Sequence, residues 1–239
     1  DSLISVKKNK SKIVILTGAG ISAESGLGTF RDKGGLWDNH DINDVATPEA
    51  WVRNPELVLE FYNMRRELVL QAEPNEAHES LVELERHYDV QIITQNIDDL
   101  HERAGSSNIL HLHGEILYGQ SVNDPNSVYR LESNRIEIGD CAPDGGQLRP
   151  HVVWFGEPVP RMIEAEKMME DITKFIVIGT SLNVYPAANL IYTCPPDIDK
   201  YLVDLNDLPS SKQKNLIHLK GKATEKVPEL VEELISEAK

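Results

Sequence analysis

The chain has 239 residues, 40% of them hydrophobic, which suffices for one large core with at most a small satellite domain. Its 24 Lys and Arg against 39 Asp and Glu give a formal charge of −15, which argues against a nucleic-acid surface and favours basic partners such as cationic peptides. Cys141 and Cys194 provide neither a disulfide framework nor a four-cysteine zinc site, and no apolar run is long enough to cross a membrane. The chain therefore reads as a cytoplasmic protein without a membrane partner. It starts without Met, so its beginning is read as trimmed and a removed targeting peptide stays open. The oligomeric state is also open, with a monomer as the simplest reading.

Residues 1–12 form a polar, basic lead-in. Ile13-Val-Ile-Leu16 predicts the first strand, and Gly18-Ala19-Gly20-Ile21-Ser22-Ala23 matches the Gly-x-Gly-x-x-Gly/Ala turn that joins strand to helix around a pyrophosphate. The helix starting there would aim its free N–H groups and positive dipole end at the phosphates. The fingerprint is incomplete. The acid that usually ends the second strand about 20 residues on is missing, because Asp38 and Asp41 sit in the polar stretch from Trp37, which is no strand. Gly26 to Asp32, with Phe30 and Arg31, reads either as a lid over a cofactor or as a surface turn. From Thr47-Pro48, an N-cap followed by Pro at the first helical position, amphipathic helices run through Trp51, Leu57, Phe61 and Leu68 to Pro74 as an inserted module.

Residues 77–87 predict a helix with Leu81, Val82 and Leu84 inward. Val90-Gln-Ile-Ile-Thr94 then predicts a buried parallel strand whose carboxyl end carries Gln95, Asn96, Ile97 and Asp98. In open α/β sheets ligands bind beyond that end, so these polar groups should face a cleft, with Asp98 also starting the next helix. That helix, Leu100 to Ala104, is ended by Gly105. Ile109 to His113 predicts a short strand with His111 and His113 on one face. Such a pair admits packing, a metal site or a general base, and a histidine that ends a strand in this cleft suits the base.

Residues 118–147 are polar and turn-rich and predict a small irregular subdomain; Leu148 to Gly156 returns to apolar strand. A helix over 162–169 precedes the strand Phe175 to Ile178, whose end carries the small donors Gly179, Thr180 and Ser181. Strands are predicted at 201–205, ending in Asn206, which suits an adenosine ribose in place of the absent acid, and at 216–219. A closing helix covers 227–235.

Gly18-Ala-Gly-Ile-Ser22, Thr29-Phe-Arg-Asp32, Gln95-Asn-Ile-Asp98, His113-Gly114, Val153-Trp-Phe-Gly-Glu157 and Gly179-Thr-Ser181 together resemble the sirtuins in order and spacing, closest to the bacterial and mitochondrial branch that removes acidic acyl groups. The resemblance implies an α/β fold: a Rossmann-like parallel sheet with helices on both faces, formed by residues 1–33, 79–117 and 148–239. It adds a small domain made of a helical module, 34–78, and the irregular segment 118–147 in the place of a zinc module. NAD would lie between the two. By similarity Gly18, Ala19, Gly20, Ile21, Ser22 and Ala23 cradle the diphosphate, and Phe30, Arg31 and Trp37 belong to the cofactor side. Gln95, Asn96, Ile97 and Asp98 surround the nicotinamide ribose, and Gly179, Thr180, Ser181, Asn206 and Ala223 hold the adenosine half. Acylated-lysine peptides would pair with a strand over Val153 to Glu157 that includes Phe155 and Gly156.

The implied reaction is transfer of the acyl group to ADP-ribose. The acyl oxygen attacks the ribose anomeric carbon as nicotinamide leaves, and an alkylimidate forms. His113, with Asn96 and Asp98 beside it, then takes a proton from a ribose hydroxyl, and water releases lysine and O-acyl-ADP-ribose. Tyr62 and Arg65, three apart on a helix, match the pair with which this branch recognises succinyl, malonyl or glutaryl groups in preference to acetyl. The rival readings are ADP-ribosyl transfer or NAD hydrolysis at the same site, and a non-catalytic NAD-binding module. No zinc is expected: Ser121 and Asp124 stand where the first cysteine pair of the family falls, and the second keeps only Cys141, with Asp144 three residues later.

Overall fold

The computed structural model describes residues 10–28, 40–182, 186–207 and 213–239. Phe30, Arg31 and Trp37 lie outside them. Short β-branched, apolar runs build the centre: β1 (Lys12–Thr17), β2 (Asp89–Thr94), β3 (Ile109–His111), β7 (Lys174–Ile178), β8 (Asp199–Asp204) and β9 (Leu216–Lys220). They form one six-stranded parallel sheet in the order β3-β2-β1-β7-β8-β9. Successive side chains of β1 go to opposite faces, as a strand requires. Ile13 and Ile15 join Leu81, Leu84, Val227, Leu230 and Leu234, contributed by α5 (Glu76–Leu84) and α8 (Ala223–Glu237). Val14 and Leu16 join Met162, Ala165, Leu190 and Ile191, contributed by α7 (Met162–Met168) and a 3-10 helix over Ala187–Thr193. Both faces of β1 are thereby dry, which explains why it reads as a continuous apolar run.

The chain moves from β1 outward through β2 and β3, then returns to the other side of β1 at β7. The crevice at the carboxyl ends of β1 and β7 is the switch point at which such sheets bind ligands. The other helices are α1 (Ala19–Ala23), which follows β1 at this crevice, α2 (Ile42–Val45), α3 (Pro48–Arg53), α4 (Pro55–Gln71) and α6 (Leu100–Ala104). The predicted Thr47-Pro48 start holds, with the Thr47 hydroxyl accepting from the Ala50 amide at 3.0 Å. Leu68 is exposed, and Val58, Phe61, Tyr62 and Val69 carry the buried stripe of α4.

The segment 118–147 is not wholly irregular. β4 (Gly114–Ser121), β5 (Asp124–Arg130) and β6 (Leu148–Val152) make a three-stranded antiparallel sheet with β4 central. Thus Leu148–Val152 pairs in this second sheet rather than in the parallel one. The predicted strand also stops at Val152, because Gly156 adopts φ +91° and the Glu157 amide closes a turn on the Trp154 carbonyl.

Candidate active site

At the switch point the glycine turn is pressed against the end of β7. Gly18 N–H donates to the Ile178 carbonyl and Gly20 N–H to the Gly179 carbonyl, both at 2.9 Å, so these two amides are spent on the chain itself. A Cβ on Gly20 would stand 2.6 Å from the Gly179 Cα. The second glycine therefore lets α1 approach β7. Ile21 is fully buried in the core, whereas Ala19 and Ala23 are half-buried. Thr180 and Ser181 are half-buried beside Gly179, Asn206 is exposed after β8, and Ala223 opens α8.

From the end of β2, Gln95 N–H donates to the Thr17 carbonyl at 2.9 Å, which continues the sheet by one residue. Asn96 then reaches back toward the glycine turn: its Nδ2 donates to the Gly18 carbonyl at 3.0 Å, and its backbone N–H donates to Thr94 Oγ1 at 3.1 Å. Asp98 is buried and accepts from the Leu100 N–H at 3.1 Å and from the Ser22 hydroxyl at 2.9 Å; the N-cap of α6 is Asp99, so Asp98 stands one residue before the position expected of it. Burial pushes its carboxyl up, opposed by those two hydrogen bonds. Ile97 offers its carbonyl to the Ile116 N–H, which links this loop to the second sheet.

His113 follows β3, and its Nδ1 lies 3.1 Å from the Gln95 carbonyl. A carbonyl only accepts, so Nδ1 carries the proton and Nε2 keeps its lone pair. Burial lowers the pKa of His113, with the Gln95 carbonyl opposing, so the imidazole is neutral near pH 7. His111 makes the matching contact to the Asn96 carbonyl at 3.0 Å, but its Nε2 meets Glu102 at 3.0 Å. Burial alone would lower its pKa; the Glu102 hydrogen bond and charge, with Glu115, raise it overall.

Two further histidines lie behind the cluster. His78 accepts the Asn75 N–H on Nδ1 at 3.1 Å and turns Nε2 toward the Ser22 hydroxyl at 3.5 Å. Burial, then the charge of Arg103, lowers its pKa to about 4. His101 stacks edge-on to His78 with ring centres 5.1 Å apart, and its Nε2 meets Thr17 Oγ1 at 2.9 Å. Both back the Ser22–Asp98 pair or its supporting strands, and neither was singled out in the sequence. The one local signal was Asn75, three residues before His78 at a helix start, where the structure has a reciprocal cap.

On the other wall, α4 presents Tyr62, buried, and Arg65, half-buried, with the guanidinium carbon 5.6 Å from the Tyr62 ring centre and equally far from that of Phe61. Burial lowers the Arg65 pKa, and the charge of Asp98 is among the groups opposing this, so this helix faces the cleft loop. Arg66 turns away, its Nε donating to the Ile116 carbonyl at 2.7 Å and its Nη1 to Asn63 Oδ1 at 2.8 Å. In the segment 153–157, Val153 N–H donates to the His113 carbonyl and Phe155 N–H to the Ala46 carbonyl, so both amides are already used. Glu157 turns inward, bridging Arg149 at 3.2 Å and the Trp154 N–H at 2.8 Å. Phe155 is exposed, and the Gly156 turn follows it.

The donors at the zinc-module positions do not fit a structural zinc. The Ser121 hydroxyl donates to Asp144 at 2.7 Å and accepts the Asn123 N–H at 3.1 Å, while Asp144 Oδ1 accepts the Gly146 N–H at 2.9 Å. Asp124 binds the Asn126 amide and the Ser127 hydroxyl of its own turn. Cys141 is exposed and is the one thiol of the set. Hydrogen bonds close the loops that thiolates would otherwise gather.

The sheet order and the polar cluster at its switch point define a dinucleotide-binding α/β protein. Residues 18–186 match the model of the Sir2 family, and the chain belongs to that family. A protein of Helicobacter pylori strain J99 named NAD-dependent protein deacylase is 51% identical over 226 residues, covering 95% of this chain and 96% of that one. Among solved structures, an ADP-ribose complex of a mutated Sir2 homologue superposes with a TM-score of 0.87 at 39% identity, covering 96% of this chain and 93% of the other. A Sir2 homologue–NAD complex gives 0.86 at 38% identity, with 96% and 91% covered.

Proposed function

We propose that the protein is an NAD-dependent protein-lysine deacylase that prefers succinyl, malonyl or glutaryl groups to acetyl. The deacylase part is supported by the family and by relatives of near-equal length. NAD supplies an anomeric carbon that accepts the acyl oxygen when nicotinamide departs. His113 Nε2, neutral and unprotonated, is suited to take the proton of a ribose hydroxyl, a role worth roughly 10²–10⁴-fold. Asn96 and Asp98, fixed by Gly18, Ser22 and Leu100, line the ribose side. The net charge of −15 draws basic segments of acylated proteins. Among the described residues no helix is long and apolar enough to cross a membrane.

The acyl preference rests on one observation: Tyr62 and Arg65 lie one turn apart on α4, on the wall facing the 95–98 loop, with the guanidinium packed near the Tyr62 ring. A planar guanidinium receives a carboxylate through two parallel bonds, whereas an acetyl group offers it nothing. The test is mass spectrometry of one lysine peptide carrying each acyl group, with and without NAD. One nicotinamide and one O-acyl-ADP-ribose per lysine freed, fastest for the acidic acyls, is the expected result. ADP-ribosylated protein or free ADP-ribose without lysine release would overturn the deacylase reading, and equal rates for acetyl would overturn the preference alone.

A further inference from the structure

Behind the cleft, at the edge strand β3, three potential metal ligands converge from three different elements. His111 is contributed by β3, Glu102 by α6 and Glu115 by β4, and one ligand atom from each lies within 4.8 Å of the others. His111 Nε2 stands 3.0 and 3.1 Å from the two Glu102 oxygens and 3.6 Å from Glu115 Oε1. We infer that Glu102, His111 and Glu115 bind a divalent transition-metal ion of the zinc and cobalt type.

The imidazole carries the strongest argument. Its Nδ1 is 3.0 Å from the Asn96 carbonyl, which fixes the proton on Nδ1 and aims Nε2 at both carboxylates. A ligating histidine tied on its other nitrogen to a backbone carbonyl is the usual support of a metal site. The ring is buried, 6% exposed, while Glu102 and Glu115 are about a third exposed, so an ion has a path from solvent. One nitrogen and two carboxylates suit zinc, cobalt or nickel better than calcium or magnesium, which favour all-oxygen sets. Three protein ligands leave room for water.

Metal and proton compete for Nε2. The other titrating groups whose fields reach His111 are Asp98, His101 and His151. The ion would be joined to the cofactor cleft through the Asn96 carbonyl, independently of which acyl group the enzyme removes.

The test is titration of the chelator-stripped full chain with Co²⁺, followed by its visible absorption and then by displacement with Zn²⁺. One saturable Co²⁺ per chain is expected. Its apparent affinity should rise about tenfold per pH unit while His111 is protonated, because one proton is released per ion bound. Saturable binding should vanish in His111→Ala, weaken in Glu102→Gln and Glu115→Gln, and persist in Ser121→Ala. Glu115→Gln alters a partly exposed side chain and decides the matter if His111→Ala fails to fold. Absence of a saturable signal in the unmodified chain, or full binding in Glu115→Gln and His111→Ala, would overturn the inference.

Discussion

Replacing Arg65 by Met tests the acyl-recognition argument, since methionine keeps an unbranched apolar side chain on α4 and removes the guanidinium, whose carbon lies 5.6 Å from the ring centres of Phe61 and Tyr62. The neighbouring cation cannot stand in, because Arg66 is 1% exposed and its Nε and Nη1 donate to Ile116 and Asn63. A charge-assisted hydrogen bond contributes roughly 1.5–3 kcal/mol, so losing the pairing should lower kcat/KM for a succinyl peptide about 10- to 150-fold. The acetyl peptide never made that bond. Its kcat/KM should hold steady, since an acetyl group carries no carboxylate for the guanidinium to bind. The assay compares both acyl forms of one peptide at saturating NAD in the parent and in Arg65→Met, with Arg65→Lys as a control that keeps charge but loses the fork. Equal loss for both substrates would mean that Arg65 supports the fold or the cofactor, and no loss would mean that the carboxylate binds elsewhere. Either result refutes the reasoning.

His113→Ala should lower turnover roughly 10²–10⁴-fold while NAD binding and melting temperature are kept, as measured by calorimetry. The pKa of His113 is lowered, so the base form is already present near neutrality and the rate of the parent should fall only as pH drops through that depressed value; the acid limb should disappear in His113→Ala, and an unchanged limb would assign it to another group. Ser121→Ala should lower the melting temperature by about 2–4 °C through loss of the Asp144 and Asn123 hydrogen bonds, and by the same amount with or without chelator. Gly114→Ala should cost about 2–5 kcal/mol by denaturant unfolding, because its φ is +88° and a Cβ would collide with the His151 carbonyl. A stable Gly114→Ala protein would show that the β4–β6 contact yields.

The parallel sheet was legible because its central strands are buried on both faces and read as apolar runs; Ile13 to Leu16 and Phe175 to Ile178 cannot easily be anything else. The second sheet was not legible. In β5, none of Asp124 to Arg130 is buried, so no hydrophobic alternation marks the strand; its backbone pairs with β4, and Arg130 lies over the Tyr118 ring. The 153–157 segment misled for the opposite reason. Its apolar residues are real, but Trp154 serves the small-domain core and Phe155 stands exposed, while Gly156 turns the chain. His78 and His101 escaped because each sits within a helix, where a lone histidine has no local mark of the distant Ser22 or Thr17 that it meets.

The two histidines that the sequence placed on one strand face show what a pattern alone cannot separate. His111 and His113 are two residues apart, and each presents Nδ1 to a carbonyl of the adjacent loop, Asn96 for one and Gln95 for the other. Their chemistry diverges at the opposite nitrogen. Glu102 and Glu115 hold His111 toward the charged form, in which it cannot accept a proton, while His113 has burial without a carboxylate and is held neutral. A base must be unprotonated before the step it serves, so the distribution of carboxylates, not the spacing of the imidazoles, favours His113 for proton removal and leaves His111 as the anchor of the Asn96 peptide.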